Sequence, residues 1–343
     1  MKFNKLILRA SVLALLALLA LTLTLTACDN GNASTDTENN TENEEATTME
    51  DIITEAPTEE PTEAPTQAPT EAPTEEPTEA VTETPWQGEN PDLERIEGLP
   101  KKYITLSFDD GITQDARMIE ILKKYGCPCT FNINTGLFGA NWTWVADAVG
   151  VPGLSHKRWT KAEIQSGIYD GFDIEVHTLS HGSLKTMNDK NVINEVGKDA
   201  SNIAKLTGYK PVGMAYPGGD QEVNEHNIET IIANTDIRFG RGVKSTYNFK
   251  LPEYFMMWQP TCSFSDGQLM ALTKRFIEAE CTEDMVLYVW GHGYELDAYD
   301  TWDKFDLFVK TITEAAANDD DIVLVTNAEF YQLFKDQIPA WKE

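Results

Sequence analysis

The stretch YITLSFDDGITQDARMIEILKKYG, residues 103–126, sets two neighbouring carboxylates, Asp109 and Asp110, where one periodicity ends and another begins. Before them Ile104, Leu106 and Phe108 alternate with Tyr103, Thr105 and Ser107, the two-residue period of a strand. After them Met118, Ile121, Leu122 and Tyr125 recur at helical spacing, and Gly126 is suited to close that helix. The pair therefore sits on a strand-to-helix turn, which Gly111 lets bend tightly. Ionised neighbours repel, so a fold that keeps both supplies a cation or a proton. An Asp-Gly turn with a helix cap accounts for the same letters.

The same alternation continues along the chain. Strand patterns appear in CTFNIN, FDIEV, GMAYP, IRFGRGV, MVLYVWGH and DIVLVT. Between them lie helix patterns: one over about 160–169, opened by a Thr160/Glu163 capping box, a long one carrying Ile193, Val196, Ala200, Ile203 and Ala204, and one over about 224–234. Further helices start near Gly267 and Thr301, and a last one follows DIVLVT. Strands alternating with helices mean parallel pairing with helical crossovers. Seven or eight of them in one α/β domain favour a (β/α) barrel, with chemistry at the C-terminal strand ends.

A second stretch, EVHTLSHGSL, residues 175–184, places His177 at a strand end and His181 four residues on. In a helical turn their Cβ atoms would lie about 5–6 Å apart, so both imidazoles reach one ion. The chain has five histidines. Two at this spacing, with an acidic pair on another strand end, make a three-ligand site with open positions, the arrangement of a catalytic rather than a structural metal.

Outside this domain the chain changes character. Residues 1–27 place Lys2, Lys5 and Arg9 ahead of an apolar run, which reads as an export signal. Leu25-Thr26-Ala27-Cys28 resembles the lipobox of bacterial lipoproteins, which implies cleavage before Cys28 and a lipid on its sulfur. A plain secretory signal and an uncleaved transmembrane helix are the alternatives. Residues 28–97 read as a disordered, acidic, Thr/Glu/Pro-rich linker. Its part from residue 29 to 90 holds eighteen Asp and Glu and no Lys or Arg. Proline at nearly every fourth position and little to bury make a stalk, with a reach of roughly 150–200 Å at about 3 Å per residue. Of the net charge of −29, the signal contributes +3 and that stretch −18, which leaves −14 for the rest. That balance argues against nucleic acid or an anionic membrane surface as partner.

SFDDG, HTLSH, AYPGG and VWGHGYE, in that order, resemble the motifs of the polysaccharide deacetylase family, the NodB-type carbohydrate esterases, over roughly residues 98–337. The resemblance implies a distorted (β/α) barrel, a catalytic domain over 98–343, and metal-dependent removal of N- or O-acetyl groups from a polysaccharide. It implies that Asp109 is the general base and that Asp110, His177 and His181 bind one divalent ion, most often zinc. It gives the Tyr216 backbone N–H to the oxyanion and makes His292 the general acid. His156 and His226 match no motif and read as structural or surface residues. The family's third motif carries an arginine aimed at the base, and PVGMAYPGG has none.

In IRFGRGV, alternation sets Arg241 with Ile237, Phe239 and Val243 on one face. A guanidinium there needs a carboxylate, so Arg241 is expected to reach Asp109 or, alternatively, to pair with another acid for packing alone. Trp142, Trp144, Trp258, Trp290 and Trp302 are candidates for stacking on sugar rings, although tryptophans are more often core residues. Cys127, Cys129, Cys262 and Cys281 fit either buried thiols or a Cys262–Cys281 disulfide. An N-acetylglucosamine deacetylase of peptidoglycan or a related wall polymer is the leading expectation, lipid-anchored at the cell surface. An acetylxylan esterase and a catalytically weak glycan-binding surface protein are the alternatives.

Overall fold

The computed structural model describes residues 93–342; the expected export signal, the expected lipidation site Cys28 and nearly all of the acidic linker lie outside the described residues. Eight strands form one sheet: β1 Lys102–Asp110, β2 Thr130–Ile133, β3 Asp173–Val176, β4 Gly213–Ala215, β5 Phe239–Arg241, β6 Cys262–Ser263, β7 Met285–His292 and β8 Ile322–Leu324. The order is β5-β4-β3-β2-β1-β7-β6, with β8 also on β1, and every strand pairing is parallel. β7 runs beside β1 from Lys102 to Asp109, while β8 pairs with Lys102–Ile104 and β2 with Ser107–Asp110. The sheet curls until its ends are bridged. Trp258 N–H donates to Gly240 O at 2.9 Å and Gly242 N–H to Trp258 O at 3.1 Å, and a few residues later Cys262 and Ser263 pair with β7. The molecule is thus the distorted α/β barrel that the alternation and the resemblance implied.

Burial on both sides explains the strand sequences. Ile104, Leu106 and Phe108 of β1, Phe131 and Ile133 of β2, and Ile174 and Val176 of β3 join one core with Met118 and Leu122 of α1 (Asp115–Tyr125). The alternate residues of β1 run from Tyr103 through Thr105 and Ser107 to Asp109. They pass from an aromatic cluster with Tyr288, Phe330 and Phe334 to polar partners and finally to the acidic strand end. The barrel lining therefore becomes more polar toward the C-terminal ends of the strands.

The expected long helix is in fact three segments: Asp189–Ile193, a π turn Asn194–Lys198, and Asp199–Thr207. The wide turn lets the helix serve the end of β3. Glu195 accepts from Ser180 N–H at 2.8 Å, and Asp199 accepts from Thr135 N–H at 2.7 Å and from His177 N–H at 3.3 Å. Helix Lys161–Gln165 opens with the expected Thr160/Glu163 capping box. Two short helices, Trp144–Val149 and Gly293–Ala298, and the two-residue β6 carry too few residues for periodicity to reveal. Cys127, Cys129, Cys262 and Cys281 are free thiols, so the Cys262–Cys281 alternative does not hold. No helix among the described residues is long and apolar enough to cross a membrane.

Asp115, the first residue of α1, is fully buried and accepts from Ile112 N–H at 3.2 Å and Tyr169 O–H at 2.6 Å. Burial pushes its carboxyl up to about 8. An acid raised on folding keeps its proton in the folded state after the unfolded chain has lost it. Stability contributed by this group is therefore full below about pH 4 and declines as pH rises toward 8, by about 1.4 kcal/mol per pH unit while it alone titrates. Asp115→Asn is expected to flatten that decline in urea unfolding between pH 5 and pH 8; an unchanged slope would show that Asp115 does not titrate there.

Candidate active site

In a regular strand Asp109 and Asp110 would face opposite ways. Asp110 instead adopts a left-handed backbone with φ +82°, followed by Gly111 at φ +62°. This kink turns both carboxylates into one space. His177 Nε2 lies 4.0 Å from Asp109 Oδ2 and 3.8 Å from Asp110 Oδ1, and His292 Nε2 lies 4.0 Å from Oδ2 of each. A side chain at Gly111 would also press on Ile133, with its Cβ 2.9 Å from Cγ2. A left-handed aspartate costs on the order of 1–2 kcal/mol, which its contacts must outweigh.

His177 and His181 converge, but not through a helical turn. The segment after β3 is irregular, with Thr178 at φ +62° and His181 at φ +57°, and the two rings meet edge to face at 4.8 Å. Asn134 holds this turn by donating to the carbonyls of both His177 and Thr178. Ligand atoms of Asp110, His177 and His181 all lie within 4.8 Å of one another. His177 Nδ1 is 2.8 Å from the Ala215 carbonyl, which can only accept, so Nδ1 carries the proton and Nε2 presents a lone pair. That Nε2 is buried and has no hydrogen-bond partner, as a ligand waiting for a cation would be. One carboxylate and two imidazoles suit a divalent ion.

Each carboxylate has its own guanidinium. Asp109 accepts from Arg241, which reaches it from β5, and from Asn132 Nδ2 at 2.9 Å. Asp110 accepts from His156 Nε2 and Arg158 Nη2, both at 2.9 Å, one on each oxygen. Burial alone would raise both acids. Arg241, backed by His177 and His292, instead holds Asp109 below the usual carboxylate value. The hydrogen bond from His156, with the neighbouring His292, His177 and Arg158, holds Asp110 well below it. Burial lowers His177, and burial together with His177 brings His181 down to about 4. Both imidazoles are therefore neutral near pH 7 and free to bind a cation. His292 goes the other way: burial opposes its charge, but the Glu295 carboxylate 3.1 Å from Nδ1, together with Asp110 and Asp109, raises it to about 9.

Tyr216 does not fit the oxyanion assignment. Its N–H already donates to the Arg241 carbonyl at 3.1 Å within the β4–β5 pairing, and its hydroxyl donates to Met256 O at 2.8 Å. Among the tryptophans, Trp258 and Trp302 are buried, whereas Trp142 and Trp290 are partly exposed and Trp144 is 57% exposed. Trp142 stands edge to face with His181 at 5.2 Å, and Trp144 lies 5.6 Å from Trp142. Trp290 lies under the Arg241 guanidinium at 4.5 Å. His226 is an exposed residue beside Asp189.

Four contributors were not legible as site residues: Asn132, His156, Arg158 and Glu295. Asn132 and Glu295 carried a signal, since Asn132 alternates with Thr130 on β2 and Glu295 lies three residues past His292 inside VWGHGYE. His156 and Arg158 sit on a long connection with no period. His156 is buried against Asp110, so of the structural and surface readings the structural one holds, and it places His156 at the site.

Residues 97–239 match the family model for polysaccharide deacetylase, which supports that family for this domain. No curated protein matches the chain. Among solved structures, it is similar to the Xyl-CE4 domain of a multidomain xylanase from the hindgut metagenome of Trinervitermes trinervoides, at 15% identity over 71% of this chain and 95% of that one, TM-score 0.44. It is also similar to a family 4 acetyl xylan esterase from Clostridium thermocellum, at 17% identity over 69% and 94%, TM-score 0.43. A third is a peptidoglycan deacetylase from Bacillus subtilis, at 17% identity over 69% and 93%, TM-score 0.41.

Arg241 and Asp109 are both almost fully buried. Removing one partner leaves an uncompensated charge, so Arg241→Leu is expected to destabilise the fold by about 3–5 kcal/mol. Adding Asp109→Asn should restore much of the loss. Urea unfolding of the two single variants and the double variant measures this coupling; additive effects would mean that the pair does not act as a unit.

Proposed function

We propose that this protein is a metal-dependent hydrolase that removes acetyl groups from a polysaccharide, with N-acetylglucosamine of peptidoglycan or a related wall polymer as its substrate. The observation that carries this reading is the unpartnered, buried Nε2 of His177 beside Asp110 and His181, next to a second carboxylate held by its own arginine. A divalent ion, zinc by donor type, would be held by Asp110, His177 and His181 and would supply Lewis acidity to the acyl carbonyl and to water. Asp109, kept ionised and oriented by Arg241 and Asn132, accepts the proton of the attacking water. His292, kept protonated by Glu295, stands within 4.0 Å of both carboxylates and gives its proton to the departing nitrogen. An amine needs that proton more than an alcohol does, which favours an amide over an ester. Exposed Trp144, with Trp142 behind it, offers a flat apolar face to a neighbouring sugar ring. A lipid on Cys28 and the acidic linker would hold the domain at the cell surface and let it reach into the wall.

Acetate release should occur from N-acetylglucosamine oligomers and stop with chelator. Faster release from acetylated xylan would assign an ester substrate, and no release from either polymer would leave a glycan-binding protein. Asp109→Asn is expected to keep its metal and lose about 10²- to 10⁴-fold in turnover, whereas His181→Ala should lose metal by elemental analysis. Trp144→Ala should raise KM for oligomers with little change in kcat; an unaffected KM would remove Trp144 from the sugar path.

A further inference from the structure

The metal ligands come from two strand ends, and nothing in β1 or β3 alone sets the distance between them. Arg158 spans that gap. Its Nη2 donates to Asp110 Oδ1 at 2.9 Å, and its Nε donates to Asn134 Oδ1 at 3.4 Å. Asn134 in turn grips the carbonyls of His177 and Thr178. One guanidinium therefore touches the carboxylate that ends β1 and, through a single amide after β2, the histidine turn after β3. We propose that Arg158 is the positioning residue of the metal centre, holding Asp110 at a fixed distance and orientation from His177 before a cation arrives. This rests on reading Asp110, His177 and His181 as the cation site.

Four further observations support it. Arg158 is only 1% exposed, and its Nη1 has no hydrogen-bond partner, a costly arrangement for a residue kept only to tie down a loop. His156 takes the other oxygen of Asp110, so the two residues use one site on each oxygen and leave a lone pair on each for a cation. The loop itself is already fixed by backbone bonds: Thr113 N–H to Lys157 O at 2.8 Å, Trp159 N–H to Gly111 O at 3.0 Å and Arg158 N–H to Ala140 O at 2.8 Å. The guanidinium carbon also lies over Trp142, 3.8 Å from the ring centroid.

Titration of the metal-free full domain with Zn²⁺ and Co²⁺ against a chromophoric chelator, together with the Co²⁺ visible spectrum, tests the proposal. Arg158→Met and Arg158→Lys should both bind about 10- to 100-fold more weakly than the parent and give an altered Co²⁺ band, while circular dichroism remains native. Lysine keeps the charge and loses the fork, so it should not rescue. If Arg158→Met fails to fold, Arg158→Lys carries the comparison. Parental affinity with a lowered unfolding temperature would show a purely structural residue, and tighter binding would show that Arg158 competes with the ion; either overturns the proposal. A parent protein that binds neither ion overturns the metal centre itself, and the proposal with it.

Discussion

Two ionised carboxylates on consecutive residues cannot share a water-poor barrel mouth unless each meets its own cation. At about 4 Å their repulsion is roughly 4 kcal/mol in a protein-like dielectric, before any cost of burial. Arg241 answers Asp109, and Arg158 with His156 answers Asp110. The architecture around the site follows from bringing these cations in. β1 sits inside the sheet, with β7 along one edge and β2 and β8 sharing the other. β5 is four strands away in the sheet, and only the curl closed at Trp258 carries Arg241 back across the barrel to β1. Arg158 comes from outside the sheet altogether, on the connection between β2 and β3.

Once the acids are neutralised by fixed cations, the two candidate ligand histidines do not need to be. Burial keeps them uncharged, and the Ala215 carbonyl fixes the tautomer of His177 so that its lone pair faces Asp110. His292 shares the same pocket and is driven toward the opposite charge state because Glu295 sits behind it. His177, His181 and His292 are thus divided into two lone-pair donors and one acid by the groups around them, while His156 donates to Asp110.

The supporting groups are spread over the whole domain. The π turn at Asn194–Lys198 presents Glu195 to Ser180, and Asp199, just after it, reaches His177 N–H and Thr135 N–H. Gln114 donates to Ser155 O and to Asp297, linking the start of α1 to the loop that carries His156 and to the helix after β7. The site is therefore held by side chains from the ends of β1, β2, β3, β5 and β7 and the connections that follow them, consistent with a mouth assembled from strand ends.

Much of this was readable in one dimension. Alternating periods identified seven of the eight strands and the barrel class, because a strand buried on both faces and an amphipathic helix leave different apolar spacings. Asp109, Asp110, His177, His181 and His292 stood out as chemical residue types at strand ends, and alternation in IRFGRGV set Arg241 on the inner face, where it meets Asp109. What the sequence by itself determined is thus the order of elements and the residues that each strand end offers. The left-handed turns at Asp110, Thr178 and His181, the capture of the Tyr216 N–H by Arg241, and the grip of His156 and Arg158 on Asp110 were decided only in three dimensions. Local periodicity encodes which face a side chain takes; the partner it meets, 48 residues away for Arg158 and 132 for Arg241, depends on how the barrel closes and how an aperiodic loop packs.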